Sequence, residues 1–163
     1  MRHLIATICL MIAVLLGSAG MSWSADFQKG LTAYKSGDYA TALREFRPLA
    51  EQGTANAQVY LGLMYANGRG VPQDYKTAVK WYRLAAEQGY AAAQGKLGVM
   101  YALGKGVLKD YVYAHMWASF GASNGNEKGR QVRDFVAKNM TPTQIVDAKK
   151  LARECVRKNY KGC

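Results

Sequence analysis

The sequence repeats itself with a period of 36 residues, and this repeat constrains the fold more than any other feature of the chain. Sliding the chain over itself by this step superposes residues 57–58 on residues 93–94, with Ala-Gln in both places. The same step superposes the tripeptide Met-Tyr-Ala at residues 64–66 on residues 100–102. A period of this length is typical of stacked helical hairpins, since a single hairpin cannot cover its own apolar face.

Each unit is predicted to contain two helices joined by a glycine-rich turn. In the central unit, Ala57, Leu61 and Met64 share one face of a first helix. Two glycines and a proline then interrupt the helical pattern. We expect Asp74 to cap a second helix through its carboxylate, and Gly89 to end that helix.

The chain is predicted to be divided into a leader, three repeat units and a cap. The step of 36 residues also carries Gly53 to Gly89 and Gly125, which places an additional unit with a shorter inter-helix loop upstream of the two full ones. A cap is expected because an open array would expose its last apolar face. The predicted segments are a leader over residues 1–25, units over residues 26–54, 55–90 and 91–125, and capping helices over residues 126–163.

Three motifs recur in these units. They are AQxxLGxMY from Ala57, GxGVxxDY from Gly68 and AxxWYxxAAxxG from Ala78. Together they resemble the Sel-one-like repeat, a relative of the tetratricopeptide repeat, over residues 56–125. The resemblance implies an all-α, right-handed α-solenoid whose members act as interaction scaffolds or adaptors, often in the bacterial envelope.

The N-terminus has the layout of a secretory signal peptide. A short basic start at residues 1–3 precedes an apolar run over residues 4–16, and small residues follow as far as Ala25. The run is shorter than the about 20 apolar residues of a transmembrane helix, although an uncleaved anchor is the alternative. We expect cleavage near Ala25 or Asp26 and a periplasmic or secreted location.

Cleavage would leave two of the three cysteines, Cys155 and Cys163. An even number in an exported chain points to a disulfide, with two free thiols as the alternative. A continuous helix would separate the two residues by about 12 Å, beyond the roughly 7 Å limit for bridged Cα atoms. The bridge therefore requires the helix to end near Lys158 and the chain to fold back over residues 159–162.

The cap is predicted to hold two helices and much of the positive charge. The first, over residues 126–138, would direct Val132, Phe135 and Val136 inward, and the second would open with a capping box at Thr141. Of the net charge of +11 on the chain, residues 126–163 contribute +6, from 10 basic and 4 acidic side chains. The basic residues that could form a patch are Lys128, Arg130, Arg133, Lys149, Lys150, Arg153, Arg157, Lys158 and Lys161.

A binding surface is expected on the concave side of the array, which first helices of successive hairpins line. The side chains there differ between units while the core positions repeat, as they would on a face that contacts a partner or on an unconstrained surface. We hypothesise that an extended peptide or a loop of an envelope protein lies in this groove. The predicted partner-binding residues are Tyr60, Leu63, Asn67, Lys96, Val99 and Leu103.

Catalytic and metal chemistry find little support in the sequence. The exported chain holds a single histidine, His115, and its two cysteines do not have metal-ligand spacing. We therefore expect no catalytic residue, metal or cofactor, and an exported scaffold for a protein or peptide partner in the cell envelope. The alternative is binding of cell-wall glycan or anionic membrane through the basic cap; a cell-wall or β-lactam hydrolase ranks third, and nucleic acid is disfavoured by the compartment.

Overall fold

The computed structural model describes residues 27–163, which form eight α-helices and no β-strand. The helices are α1 over residues 27–36, α2 (Tyr39–Glu51), α3 (Ala55–Asn67), α4 (Tyr75–Ala86), α5 (Ala91–Leu103), α6 (Tyr111–Ser123), α7 (Glu127–Ala137) and α8 (Pro142–Arg157). The signal peptide predicted over residues 1–25, with cleavage near Ala25 or Asp26, lies outside the described residues.

The helices stack as successive hairpins, which confirms the predicted helical-repeat solenoid. Helix α3 packs against α4 and α5 packs against α6 within their units, while α2 contacts α3 and α4 contacts α5 between units. The core is correspondingly divided along the chain. One buried cluster centres on Phe46, Leu61 and Met64, and a larger one centres on Leu97 and Trp117.

A glycine allows the two helices of each full unit to approach closely. A Cβ atom placed on Gly62 would lie 2.6 Å from Cε1 of Tyr82, which is closer than real Cβ contacts come. In the next unit, a Cβ atom on Gly98 would lie 2.9 Å from the Cβ atom of Ala118. Tyr82 and Ala118 are themselves related by the 36-residue step. The repeated glycine is therefore a packing requirement of the hairpin.

The turn between the two helices is built as the sequence predicts. Gly68 ends α3 in the left-handed region, with a φ of 65°, where a side chain would be strained. Asp74 then accepts hydrogen bonds from the backbone N–H groups of Lys76 and Thr77 at 2.9 and 3.1 Å, and so caps α4. Asp110 caps α6 in the same way.

Buried glutamines connect each hairpin to the next. The Nε2 atom of Gln58 donates to the carbonyl oxygen of Ala50 at 3.1 Å, and Gln94 makes the equivalent bond to Ala86 at 3.3 Å. The side-chain oxygen of Gln94 also accepts a hydrogen bond from Asn124 at 3.0 Å. Since buried polar groups must be paired, the repeated Ala-Gln dipeptide has a structural explanation.

The C-terminal helices close the array in two different ways. Helix α7 packs against α5 and α6, and so continues the layer of first helices, whereas α8 packs against α6. The predicted capping box of α8 is present, because Thr141 and Gln144 exchange side-chain to backbone hydrogen bonds. Val136 of α7 and Ala148 of α8 are fully buried.

The chain reverses after α8 and returns to its own last turn. Asn159 and Tyr160 adopt positive φ values of 51° and 64°, and a disulfide joins Cys155 to Cys163 across this reversal, with their Cα atoms 5.7 Å apart. The ring of Tyr160 packs against that of Phe120, with centroids 5.0 Å apart. The terminal turn is thereby held against the second-helix side of the array.

The Gly62→Leu variant should be less stable than the parent chain by about 1–3 kcal/mol, because the added side chain overpacks the contact with Tyr82. Thermal unfolding followed by circular dichroism measures the effect. Asn56→Leu is the matched control, since it places the same side chain at an exposed position of the same helix. Equal melting temperatures for the two variants would contradict the close contact.

Reduction of the disulfide should lower the stability of the chain by about 2–3 kcal/mol, because the bridge restricts a short loop in the unfolded state. Thiol titration of chain lacking residues 1–25 should give no free thiol before reduction and two after it. The Cys163→Ser variant should melt at the temperature of the reduced chain and should not respond to reductant. A reductant-sensitive melting temperature in that variant would contradict the assignment.

Candidate functional site

Four positions of each first helix lie on one face, and they recur at the 36-residue step. Their spacing of three or four residues aligns them along the helix. We call this surface the first-helix face. Its members are Asn56, Tyr60, Leu63 and Asn67 in α3, Ala92, Lys96, Val99 and Leu103 in α5, Lys128, Val132 and Phe135 in α7, and Asn139 two residues after the end of α7.

A groove of about 350 Å³ lies on this face between α5 and α7, and we call it the α5–α7 groove. Its lining residues are Val99, Ala102, Leu103, Lys128, Gln131, Val132 and Phe135. Leu103 is 56% exposed and Phe135 is 58% exposed, although both are large and apolar. Grouped exposed apolar side chains of this kind mark binding surfaces.

The inward orientation predicted for Phe135 is wrong. Val136 is the fully buried residue of α7, and Phe135 opens onto the groove beside Val132. The physical reason is that α7 packs as the first helix of a further unit, so that position 135 continues the series begun by Leu63 and Val99. Extending the 36-residue step beyond Gly125 would have found this residue, even though the sequence identity ends there.

The predicted partner-binding residues of α3 lie elsewhere. The ring of Tyr60 packs against Phe46 and Tyr34, with centroids 5.0 and 5.3 Å apart, and burial raises the pKa of its hydroxyl group. Leu63 is half-buried and packs against the larger core cluster. Asn67 is exposed at the last residue of α3. The structure does not place these three side chains in the α5–α7 groove.

The predicted residues of α5 are brought together with α7. Val99 and Leu103 line the groove, and Lys96 is half-buried one helical turn before Val99 on the same face. Burial lowers the pKa of the Lys96 ammonium group, and the positive charge of Lys128 lowers it further. The groove thus has an apolar part and a positively charged end.

Two further cavities lie on other surfaces. One, of about 460 Å³, is between α6 and α8 and is lined by Phe120, Ala152, Arg153, Val156 and Arg157. The other, of about 530 Å³, lies beside α2 and α4, where Trp81 and Leu84 contribute apolar surface.

The predicted basic patch is only partly free of acids, because Arg130 pairs with Glu127 and Arg133 pairs with Asp134 on the same helix.

The single histidine of the described chain is buried in α6, the second helix of the last repeat unit. His115 is 8% exposed, and its Nδ1 atom lies 3.4 Å from the Oγ atom of Ser119. Burial lowers the pKa of its imidazole, and Arg133 and Lys149 lower it further, whereas Asp134 has the opposite effect. Asp134 pairs with Arg133 at 2.8 Å and does not hydrogen-bond to the imidazole.

Residues 27–163 contain neither a candidate metal-binding group nor a candidate membrane-spanning helix. Within this range, histidine, cysteine and acidic side chains form no group of three that could hold a metal ion. None of the helices described there combines the length and the apolar character needed to cross a bilayer.

Comparison with known proteins identifies the repeat. The family described as Sel1 repeat matches residues 55–90 and residues 91–126, the units whose hairpin geometry is given above. The chain contains two Sel1 repeats. Sel1 repeats generally serve as scaffolds for protein–protein interaction, and proteins with this fold are typically non-enzymatic. None of the curated proteins compared with the chain matches it.

The solved structures similar to the Sel1 chain include the following two. A protective antigen present in uropathogenic Escherichia coli strains, which displays an SLR fold, is 31% identical with a TM-score of 0.78 over 85% of this chain and 31% of its own. A Sel1 repeat protein from Oxalobacter formigenes is 32% identical with a TM-score of 0.64, over 68% of this chain and 45% of its own. The chain thus spans less than half the length of either protein.

The stability of the chain should fall as the pH drops below 6.5, because His115 takes up a proton in the unfolded chain before it does so in the folded chain. The loss should be complete once the pH is below the lowered pKa of the folded state. Urea unfolding at several pH values between 7.5 and 5 measures it. His115→Gln should reduce this pH dependence, and an identical dependence in that variant would contradict the explanation.

Proposed function

We propose that this Sel1 repeat protein is an exported scaffold that binds an apolar segment of a partner protein in the α5–α7 groove. The observation that carries the proposal is the joint exposure of Leu103 and Phe135 in one groove. Burial of their exposed parts would contribute about 2 kcal/mol to binding, which is a substantial share of a micromolar affinity. Binding of a partner in the groove is therefore stabilised because it removes Leu103 and Phe135 from water.

Export of the chain is supported by its two ends. Residues 1–25 have the order of basic, apolar and small segments found in signal peptides. The disulfide between Cys155 and Cys163 fits an oxidising compartment. The proposed location is the periplasm or the extracellular medium, and the proposed partner belongs to the cell envelope.

A protein partner fits the observations better than cell-wall glycan or anionic lipid does. Interaction with proteins is the general role of Sel1 repeats, whereas no comparison supports cell-wall glycan or anionic lipid. The groove also mixes apolar and polar lining residues, as a peptide does along its length. Hydrolysis would require a nucleophile and a base in a common site, and His115 is buried and does not line the groove.

Photo-crosslinking tests the proposal. A photoreactive phenylalanine analogue at position 103 of the full chain, expressed in its bacterial host, should give a protein adduct of discrete mass in the envelope fraction. The same analogue at exposed Lys80 of α4 should not give it. The mass of the chain recovered from that fraction reports cleavage, which we expect near Ala25 or Asp26.

The groove variant and its control decide whether the adduct reflects the proposed site. Phe135→Ser should abolish the adduct from position 103 and leave the melting temperature nearly unchanged, because Phe135 is exposed. Val146→Ser removes an equally exposed apolar side chain, 61% exposed and outside the groove, and should have no effect. An adduct that survives Phe135→Ser would refute the groove as the binding site.

A further inference from the structure

We infer that the segment bound in the α5–α7 groove carries a carboxylate beside its apolar side chains, and that Lys96 and Lys128 bind this carboxylate. The inference rests on the proposed function, since it describes the chemistry of the partner at the same site. It assigns the charged end of the groove a specific ligand, an acidic and apolar peptide of a partner protein.

The helices place the two lysines at the same end of the groove. A Cβ atom on Gly95 would lie 3.4 Å from the backbone nitrogen of Gly129, so α5 and α7 nearly touch at this point. Lys96 directly follows Gly95, and Lys128 directly precedes Gly129. Lys128 also lines the groove. The two lysines therefore precede the apolar lining residues of α5 and α7, and they are close enough for the charge of Lys128 to act on Lys96.

Neither lysine has a carboxylate partner among residues 27–163. The ion pairs of that part of the chain involve other residues, and Glu127, the acid next to Lys128 in sequence, is paired with Arg130 at 2.7 and 2.9 Å. Lys96 is half-buried, which weakens the screening of its charge by water. The lowered pKa of Lys96 has the same origin in burial and in the charge of Lys128. An anion between the two ammonium groups would offset both the desolvation of Lys96 and the repulsion between the two positive charges.

The position of the lysines also predicts the spacing within the ligand. Val99 and Leu103 follow Lys96 by three and seven residues of helix, which corresponds to about 4.5 and 10.5 Å along α5. An extended peptide rises about 3.3 Å per residue. The carboxylate should therefore stand about one to three residues from the apolar side chain that enters the groove.

Selection from a random peptide library tests this inference with a defined probe. Displayed twelve-residue peptides are selected on the chain purified from the envelope fraction, and the enriched sequences are counted. We expect Leu or Phe to be enriched together with Asp or Glu at a separation of one to three residues. A selected peptide should bind the double variant Lys96→Gln, Lys128→Gln about tenfold more weakly at low salt, and this difference should shrink at high salt.

Charge reversal supplies the stringent control. Selection on the double variant Lys96→Glu, Lys128→Glu should replace the acidic enrichment by Lys or Arg and retain the apolar one. Selection on Phe135→Ser should lose the apolar enrichment, while Val146→Ser should behave as the parent chain. Unfolding curves of each variant exclude loss of the fold as the cause.

The outcomes separate this inference from the proposed function. Apolar enrichment without acidic enrichment would overturn the inference and leave the groove as a peptide site. Absence of any enriched peptide would overturn both. Sedimentation with phosphatidylglycerol vesicles that depends on Lys96 and Lys128, together with an unproductive selection, would assign the charged groove to anionic lipid and overturn the peptide inference.

Discussion

The close contact between the first and second helices of a unit is the constraint on which the rest of the structure depends. At Gly62 and Gly98 the first helix has no room for even a methyl group, because Tyr82 and Ala118 occupy the space. Such a contact fixes the relative position of the two helices, since interiors packed at this density do not deform freely. It also leaves one side of the pair apolar and uncovered. A neighbouring hairpin must cover it, and repetition of the chain follows.

The opposite side of the first helices does not take part in this close contact, so its residues are free to differ between units. The same face position is occupied by Tyr60, Lys96 and Val132 in successive first helices. In α3 the side chain packs against aromatic neighbours, in α5 it is a half-buried ammonium group, and in α7 it lines a groove. One scaffold position thus serves packing, charge and apolar contact in turn. The residues that make the hairpin contacts are repeated from unit to unit, whereas the residues on this face differ between units.

The parts of the structure that the sequence predicts are those set by local chemistry. The caps at Asp74 and Thr141 and the break at Gly68 follow from hydrogen bonding and backbone geometry within a few residues. The burial of Tyr60 and the exposure of Phe135 were not predicted, because both depend on which helix packs beside them. Sequence identity ends at the point where α7 begins, yet the packing of α7 continues the repeat, so that only the spacing of apolar residues carries that information.

The two sides of the cap have separate physical supports. Helix α7, which forms one wall of the groove, is held by close backbone contact of Gly129 with α6 and by the buried side chain of Val136. Helix α8 and the disulfide at Cys163 stabilise the side formed by the second helices, where Gly162 donates to the carboxylate of Glu87 at 3.3 Å. The contacts that hold α7, the groove wall, do not involve the disulfide. The terminal bridge can therefore stabilise the fold without determining the shape of the surface proposed to contact a partner. The C-terminal segment therefore combines two roles that are physically distinct, closure of the array by α8 and extension of its binding face by α7.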